Sequence, residues 1–246
     1  MKRTFAVVIP ARFASTRLPG KPLLDLAGKP MIQWVYEAAL RSAAASVVVA
    51  TDDERIREAV QGFGGGVVMT SPDHHSGTDR VAQAALGLQE AVIVNVQGDE
   101  PFLDPALIDQ VAAPLLEDSS ILMSTLAHPL LDSADVFNAN VVKVVCNRAG
   151  FALYFSRAPI PFDREAVLGG VPVGLLRHVG LYAFRTDFLQ TFAGLEPTPL
   201  ERLERLEQLR VLEHGYGIRV VVTSVSVKGG VDVLEDLVRA REFLSA

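Results

Sequence analysis

Short apolar runs alternate with helical patterns over the first hundred residues, and this alternation constrains the fold more than any other feature of the sequence. The apolar runs occupy residues 5–9, 46–51, 66–70 and 91–97. The helical patterns between them occupy residues 31–43, 52–63 and 78–88. Strands that are apolar throughout and separated by helices are typical of parallel βαβ units, with helices over both sheet faces. The sequence therefore predicts an α/β fold with a mostly parallel sheet.

The second half of the chain is less regular. It predicts helices at 105–117, 199–214 and 232–244 and strands at 121–127, 141–146, 151–156, 178–185 and 218–225. The prolines and paired glycines of residues 157–176 predict a mobile loop. We expect one domain over residues 1–246, with a smaller β-rich lobe inserted at approximately 125–185.

The composition excludes several classes of protein. The 23 basic and 29 acidic residues give a net charge of −6, whereas nucleic acids and anionic membranes attract cationic surfaces. The single cysteine, Cys146, excludes an intrachain disulfide, a zinc ribbon and an iron–sulfur site. We find no signal-peptide pattern, and no apolar run approaches the roughly 18 residues of a membrane span. We therefore expect a cytoplasmic protein with no nucleic-acid partner and no membrane insertion.

A long cationic loop follows the first predicted strand. Residues 10–22 contain Arg12, Arg17 and Lys21, two hydroxyl side chains and several turn-forming residues. A βα loop normally has about 2–6 residues, and ligands of open α/β sheets bind at the carboxyl ends of the strands. Cations and free N–H groups at that edge suit a polyphosphate, although the glycine spacing matches neither a Walker A loop nor GxGxxG. The alternative is a solvated cationic surface loop.

Two further strand ends carry candidate ligands. Asp99 follows the fourth predicted strand and a glycine, where a Mg²⁺ ion and its phosphates would lie. The alternative, that Asp99 caps the helix at 105, is weaker because Pro101 and Asp104 already supply a helix start. After the third strand, the segment from Ser76 to Thr78 leads into a predicted helix, where it suits either an N-cap or a ligand contact.

Two other carboxylates stand out. In a continuous helix over 199–214, Glu207 would fall inside the apolar face, where a carboxylate must be paired or bind a ligand. Arg210 is its alternative partner. Asp232 follows Gly229 and Gly230, and its alternative role is a plain helix N-cap.

Several segments together resemble the CMP-KDO synthetases, the 3-deoxy-manno-octulosonate (KDO) cytidylyltransferases. The loop IPARFASTRLPGKPL marks the wider group of sugar-acid cytidylyltransferases. The segments VQGDEP, YFSR and LEQLRVLE narrow the resemblance to the KDO branch. Matching segments occur in family order from about residue 5 to residue 240, so the resemblance covers nearly the whole chain.

The resemblance implies a Rossmann-like nucleotide-diphospho-sugar transferase fold, with a β-rich lobe that forms a homodimer. It implies that CTP and KDO give CMP-KDO and pyrophosphate with Mg²⁺ as cofactor, for lipopolysaccharide synthesis. Arg12 and Lys21 would hold the triphosphate and act in catalysis, and Asp99 and Asp232 would bind the metal. The residues that match the nucleotide site are Thr51, Asp53, Ser76, Gly77 and Arg80. Those that match the sugar-acid pocket are Gln97, Arg157, His178, Tyr182, Glu207 and Gln208.

One departure from the family pattern lies beside the second metal carboxylate. The usual GVDTPEDL is GVDVLEDL here, so Val233 and Leu234 replace Thr and Pro. We expect a looser but functional metal site, since the capping hydroxyl and the rigid first helical position are lost. Three alternatives stay open: a cytidylyltransferase for a related sugar acid, an inactive CTP-binding protein, and a purely structural α/β domain.

Overall fold

Strands and helices alternate along the chain, as the sequence predicts. The computed structural model describes residues 4–14, 18–74, 76–164, 174–227, 229–231 and 233–245. Its strands are β1 (Phe5–Ala11), β2 (Asp25–Leu26), β3 (Lys29–Pro30), β4 (Ser46–Thr51), β5 (Gly66–Met69), β6 (Val92–Asn95), β7 (Met123–Pro129), β8 (Lys143–Cys146), β9 (Ala152–Ser156), β10 (Leu176–Arg185) and β11 (Arg219–Val222). Its α-helices are α1 (Met31–Leu40), α2 (Glu54–Gly62), α3 (Gly77–Ala85), α4 (Pro105–Glu117), α5 (Ser133–Val136), α6 (Thr186–Ala193), α7 (Pro199–Glu204), α8 (Leu209–Glu213) and α9 (Leu234–Ser245).

One mixed sheet organises the described residues. Its continuous path has the order β11-β7-β10-β6-β1-β4-β5. The pairs β1–β4, β1–β6, β4–β5 and β7–β11 are parallel. Only β10 on this path runs the other way, antiparallel to β6 and β7. The prediction of a mostly parallel sheet is confirmed.

The central strand β1 is buried on both faces. Val7 and Ile9 pack in a cluster with residues of α1, α2 and α4. Ala6 and Val8 pack on the opposite face, in a cluster with residues of α3 and α6. Successive side chains of a strand point to opposite faces, so a strand that is apolar throughout fills two cores. The sheet is therefore covered by helices on both sides, with its strand ends left for a site.

The strands β8 and β9 form a branch of the same sheet. β8 pairs antiparallel with β9 and with the start of β10. These strands lie within the segment that the sequence predicts as an inserted lobe. The division of the chain into a main domain and a lobe stays a prediction.

The prediction of one helix over 199–214 is wrong. Two short helices, α7 and α8, take its place, because Arg205 adopts a left-handed backbone conformation (φ 55°, ψ 47°) that ends α7. Leu203 is exposed, whereas Leu206 and Leu209 are buried. The continuous apolar face on which the interpretation of Glu207 depended therefore does not exist.

Other differences from the predictions are smaller. Helix α6 was not predicted, and β10 begins at Leu176, inside the stretch expected to be a loop. Residues 165–173 of that stretch lie outside the described residues, so its mobility stays a prediction. Within the described part of the chain, no helix is both long and apolar enough to cross a membrane.

Candidate functional site

The loop after β1 presents one exposed and one buried cation. Arg12 directly follows β1 and is exposed. Lys21 is buried at the start of a 3₁₀ helix over Lys21–Leu23. Gly20 has a φ of +69°, which glycine adopts without steric cost, and its N–H donates to Phe13 O at 3.0 Å. The two predicted catalytic cations thus belong to one loop that is closed by a backbone hydrogen bond, whereas Arg17 lies outside the described residues.

Lys21 meets a carboxylate from the end of β6. Its Nζ lies 2.5 Å from Asp99 Oδ2. The alternative role of Asp99 as a helix cap is wrong, because α4 is capped by Asp104, which accepts the Ala106 N–H at 2.9 Å. The cationic loop and the predicted metal carboxylate therefore face each other at the sheet edge.

The segment before α9 also reaches Asp99. The Val231 N–H donates to Asp99 O at 2.9 Å, and the Val231 side chain is buried. A Cβ at Gly230 would lie 2.9 Å from Asp99 O, so the close approach requires glycine. Asp232, the next residue, lies outside the described residues, and its role as a metal ligand stays a prediction.

The residues present fit a magnesium ion that is shared with a substrate. In the part of the chain that the structure describes, no group of three or more His, Cys, Asp and Glu side chains is placed to hold a metal. Mg²⁺ is usually bound by one or two carboxylates together with substrate phosphates, so it does not need such a group. Asp99, beside a cationic loop and the backbone that precedes Asp232, matches that donor set.

The substituted start of α9 is capped in another way. The Val233 N–H donates to Asp236 Oδ2 at 3.0 Å, and Asp236 also pairs with Arg239. A first-turn carboxylate that accepts an N–H at the helix N-terminus replaces part of what the lost Thr hydroxyl would supply. This contact anchors the helix directly after Asp232.

The predicted nucleotide-binding residues of β4 and α2 are joined to each other. Thr51 is fully buried, and its Oγ1 accepts the Asp53 N–H at 3.2 Å. Asp53 caps α2 by accepting the Arg55 N–H at 3.0 Å. The Arg55 guanidinium binds both Asp53 oxygens, at 2.9 and 2.6 Å, and thereby lowers the pKa of the Asp53 carboxyl. Asp53 is thus a helix cap, whatever else it binds.

Two arginines connect neighbouring segments around these strand ends. Arg80 is buried; it donates to Thr70 Oγ1 and lies 3.1 Å from Asp52. The Arg55 guanidinium lies over the Phe13 ring, 3.3 Å from its centre. The loop after β1 is therefore held against α2 as well as against Asp99.

Ser76 and Gly77 form the start of α3. Ser76 Oγ accepts the Asp79 N–H at 3.1 Å while Asp79 accepts the Ser76 N–H, a capping box. The N-cap interpretation of Ser76 is confirmed. A Cβ at Gly77 would lie 3.4 Å from Pro10 Cγ and 3.7 Å from Gln97 Oε1, so this helix start contacts the ends of β1 and β6 closely.

A chain of buried polar side chains leads from β6 to Glu207. Gln97 Nε2 donates to Asn95 Oδ1 at 3.2 Å, and Asn95 Nδ2 donates to Thr78 Oγ1 at 3.5 Å. The Thr78 hydroxyl donates to Glu207 Oε2 at 2.6 Å. Asn95 was not predicted as a site residue, whereas Thr78 ends the segment for which a cap and a ligand contact were equally open. The signal for Asn95 was available, since it is the one polar residue within the apolar run 91–96.

Glu207 is not paired with Arg210. Arg210 instead binds both oxygens of Glu201, at 2.8 and 2.6 Å. Burial raises the pKa of Glu207, against the opposing effect of the Thr78 and Ser76 hydroxyls. Among the described residues, no group hydrogen-bonds the buried Glu207 Oε1. A buried acceptor without a partner is costly, which favours a ligand hydroxyl at this position.

His178 and Tyr182 lie together on β10. Their ring centres are 5.4 Å apart, and the His178 ring also contacts Phe155 edge-on at 4.9 Å. Burial lowers the pKa of His178 to about 3, so its imidazole is neutral near pH 7. Thr125 Oγ1 lies 2.9 Å from His178 Nε2. Burial, with the charge of Glu207, raises the pKa of Tyr182, which keeps its hydroxyl protonated.

Two adjoining cavities join these side chains to the edge of the sheet. The larger, of about 330 Å³, is lined by Asn140, Val141, Val142, Arg177, His178, Gly180, Tyr182, Leu206 and Gln208. The smaller, of about 170 Å³, shares Arg177, His178 and Gly180 with it. It adds Gln97, Glu100 and Gly229, which are near neighbours in sequence of Asp99 and Asp232. The cavities therefore connect the predicted sugar-acid residues with the predicted metal corner.

The two remaining predicted residues are placed differently. Gln208 lines the larger cavity, and its buried Nε2 finds no hydrogen-bond partner in the described chain. The Arg157 guanidinium donates to backbone carbonyls, those of Glu204 at 2.7 Å and Ala139 at 2.8 Å among them. Direct contact between Arg157 and a substrate stays a prediction.

Comparison with known families decides what kind of enzyme has this site. The family model described as cytidylyltransferase matches residues 6–239. The chain belongs to the cytidylyltransferase family. The resemblance that the motifs indicated is confirmed, and so is the nucleotidyltransferase fold.

This cytidylyltransferase has near relatives over its whole length. The 3-deoxy-manno-octulosonate cytidylyltransferase of Syntrophotalea carbinolica is 56% identical over 247 residues, which cover 98% of each chain. That of Aliivibrio fischeri strain MJ11 is 52% identical and covers 98% of this chain and 99% of its own. A solved structure of CMP:2-keto-3-deoxy-manno-octonic acid synthetase complexed with CTP is 42% identical, covers 98% of each chain and superposes with a TM-score of 0.92.

Two groups of predicted site residues are distinct in this cytidylyltransferase. One gathers the charges of the β1 loop and of Asp99 at the strand ends. The other gathers neutral or buried groups of the predicted sugar-acid pocket, among them Gln97, His178, Tyr182 and Gln208, around two connected cavities. Glu207 joins the second group through Thr78.

Proposed function

We propose that this cytidylyltransferase activates KDO, converting CTP and KDO into CMP-KDO and pyrophosphate for lipopolysaccharide synthesis. The observation that carries the proposal is the juxtaposition of a buried, hydroxyl-binding pocket with a cationic loop and a carboxylate. Its buried Glu207 acceptor and Gln208 donor suit a polyhydroxylated sugar acid. The names of the full-length relatives support the same substrate.

The reaction is a substitution at phosphorus. The anomeric C2 hydroxyl oxygen of KDO forms a bond to the α-phosphorus of CTP while the bond to the β-phosphate oxygen breaks. The hydroxyl proton passes to solvent, and pyrophosphate leaves. Arg12 and Lys21 balance the negative charge that develops on pyrophosphate, so most of the acceleration comes from positioning and charge stabilisation.

Asp99 and Asp232 would hold the magnesium ion. When bound, Mg²⁺ would lower the pKa of the attacking hydroxyl and neutralise phosphate charge. The Lys21–Asp99 contact of 2.5 Å supports this assignment, because it places a carboxylate within reach of the groups that hold the triphosphate. Removing the metal with EDTA would abolish turnover, and Mg²⁺ in excess would restore it.

Two side chains of the proposed KDO pocket do not change their protonation state near neutral pH. His178 is neutral and Tyr182 is protonated, so both offer hydrogen bonds without a net charge. Gln97 and Gln208 add amide donors and acceptors. This set discriminates among sugar acids by the positions of their hydroxyl groups, since a missing partner leaves a buried polar group unpaired.

Pyrophosphate release with CTP and Mg²⁺ tests the proposal, with KDO, 8-amino-KDO and N-acetylneuraminate supplied in parallel. We expect release with KDO. Release with another sugar acid alone would identify that sugar acid as the substrate and would still support a cytidylyl transfer. Binding of CTP without release in any arm would favour the inactive CTP-binding protein instead.

A homodimer in the cytoplasm belongs to the same proposal. Leu131, Phe137, Leu153 and Phe162 fall in the predicted lobe, and each exposes more than half of its surface. A contiguous patch of exposed apolar side chains is typical of a surface that binds another protein, so the proposal places the interface at these side chains. A cytoplasmic location agrees with the substrate, because CTP is a cytoplasmic nucleotide. Sedimentation of the wild type against Phe137→Asp tests the dimer; an unchanged mass would contradict an interface at this residue.

A further inference from the structure

Lys143 is a buried lysine for which the proposed reaction has no direct use. Its side chain is completely inaccessible to solvent, a position that lysine rarely takes unless its charge is satisfied. Burial lowers the pKa of Lys143, and the nearby Glu204 carboxylate opposes that effect. A charge placed there needs a structural reason.

The Lys143 ammonium group binds three backbone carbonyl oxygens. Its Nζ lies 3.1 Å from Asn138 O, 2.7 Å from Val141 O and 2.7 Å from Arg157 O. An ammonium group has three donors, so all of them are used. Two of the carbonyls belong to the segment before β8 and the third follows β9. Lys143 therefore fixes these two segments to each other.

A second set of contacts continues from Arg157 to the end of α7. The Glu204 carboxylate accepts the Arg157 N–H at 2.9 Å and the Ser156 hydroxyl at 2.5 Å. The Arg157 guanidinium donates to Glu204 O at 2.7 Å, to Arg205 O at 3.4 Å and to Ala139 O at 2.8 Å. Arg157 thus spans from the segment before β8 to the turn between α7 and α8.

Both of these segments contribute residues to the wall of the larger cavity. Asn140, Val141 and Val142 line it from the segment that Lys143 holds. Leu206 and Gln208 line it from the turn that Glu204 begins. Glu207, with its buried oxygen, lies between the latter two in sequence. The spacing of the walls therefore depends on a set of contacts that do not face the cavity.

We propose that Lys143 is a positioning residue for the sugar acid, acting with Glu204 through Arg157. It sets the distance between the two walls and so the affinity for the sugar acid, without lining the cavity. The proposal rests on the assignment of this cavity to KDO. The triphosphate end does not depend on Lys143, because Lys21 and Asp99 come from the loop after β1 and the end of β6.

The test is Lys143→Met, which keeps an unbranched side chain as far as Cε and removes the ammonium group with its three donors. Misplacing a binding group by about 1 Å can cost up to about a hundredfold, so we expect KM for KDO to rise at least about tenfold. We expect KM for CTP to change less than about threefold, since its contacts lie elsewhere. Lys29→Met makes the same chemical change at a lysine paired with Glu37 outside the cavity, and it should change neither value.

Ser156→Ala is a milder variant for the case that Lys143→Met does not fold. It removes one of the hydrogen bonds to the Glu204 carboxylate and leaves Lys143 in place. We expect a smaller rise in KM for KDO, again with KM for CTP unchanged. A circular dichroism melt of each variant reports whether the fold is kept.

The possible outcomes separate this proposal from the proposed function. If the wild type turns over KDO and folded Lys143→Met keeps both KM values, the positioning role is overturned alone. Equal rises in both KM values would also overturn it, because they indicate a general loss of structure. If the wild type releases no pyrophosphate with KDO, the proposed function fails and this role, which rests on it, fails with it.

Discussion

The two ends of the proposed site differ in the charge and burial of their side chains. At the end proposed for the triphosphate, called the phosphate end, Arg12 is exposed and Lys21 forms an ion pair with a partly exposed Asp99. At the end proposed for the sugar acid, called the sugar end, Asn95 and Thr78 are buried, and they connect β6 to the Glu207 carboxylate through hydrogen bonds. One end is made of charges on loops, and the other mostly of uncharged side chains around the Glu207 carboxylate.

The difference has a physical reason. A triphosphate brings several negative charges, which cationic side chains and a metal can neutralise at the edge of the sheet. A sugar acid is distinguished from its relatives by hydroxyl groups, and only buried, fixed donors and acceptors penalise a misplaced hydroxyl strongly. The comparison predicts that changes at the first end reduce turnover, whereas changes at the second reduce recognition.

Arg12→Ala and Lys21→Ala should have the largest effect. Each removes a donor that stabilises the charge developing on pyrophosphate, a loss of about 100- to 1,000-fold in kcat for comparable groups. KM for CTP should change much less, and KM for KDO should stay within about threefold. Steady-state kinetics with each substrate varied measures the split. Equal losses in kcat and in CTP binding would remove the transition-state role of these cations.

Glu207→Gln should instead weaken the binding of KDO at the sugar end. The amide keeps the shape but puts a donor or a weaker acceptor where a buried carboxylate oxygen binds, and hydrogen bonds to charged groups contribute about 1.5–3 kcal/mol. We therefore expect KM for KDO to rise roughly 10- to 100-fold, with KM for CTP unchanged. Glu196→Gln, at an exposed position on the same part of the chain, is the matched control. A rise in KM for CTP would contradict the claim that the sugar end affects only the recognition of the sugar acid.

The buried imidazole predicts how stability depends on pH. The pKa of His178 is about 3 in the folded chain and near 6.5 when unfolded, so between these values the unfolded chain binds the additional proton. Stability therefore falls as the pH drops below 6.5, by about 1.5 kcal/mol from this group between pH 6.5 and pH 5. Urea unfolding at both pH values should show this difference reduced in His178→Gln. An identical pH dependence in both proteins would contradict the buried, neutral state of His178.

Substitutions of Asp53 should have the smallest effect, which is a local loss of stability at the start of α2. Asp53→Ala removes the cap of α2 and should lower the free energy of unfolding by about 1 kcal/mol, whereas Asp53→Asn keeps a capping oxygen and should lose less. Thermal unfolding of both variants measures the difference. A rise in KM for CTP in both would support the nucleotide contact that the family resemblance implies. Equal stability of all three proteins would contradict the cap.

The sequence was most informative where one local pattern is sufficient. The apolar strands of the first half predicted the parallel core, since β1 needs apolar residues on both faces. The long cationic loop and Asp99 were predicted as neighbours because parallel strands end at the same edge. The Lys21–Asp99 ion pair joins residues 78 positions apart that this rule had placed together.

The sugar end depends on contacts between distant segments, which no local pattern contains. Glu207 was singled out from a helix that does not exist, since the left-handed Arg205 ends α7. Arg210 is nevertheless not its ion-pair partner, because Arg210 is bound to Glu201. Thr78, 129 positions away, is its hydrogen-bond donor, and only the assembled sheet brings the two together.

Phosphorus NMR of a complete reaction tests the central claim most directly, because it reports which phosphorus atom of CTP is attacked. With CTP, Mg²⁺ and KDO, the account predicts that the three CTP signals give way to one phosphodiester signal and to pyrophosphate, in equal amounts. Formation of CDP or inorganic phosphate would place the attack at another phosphorus. Pyrophosphate with free CMP and no lasting or transient phosphodiester would mean that water, not the sugar acid, is the acceptor, and would contradict the account.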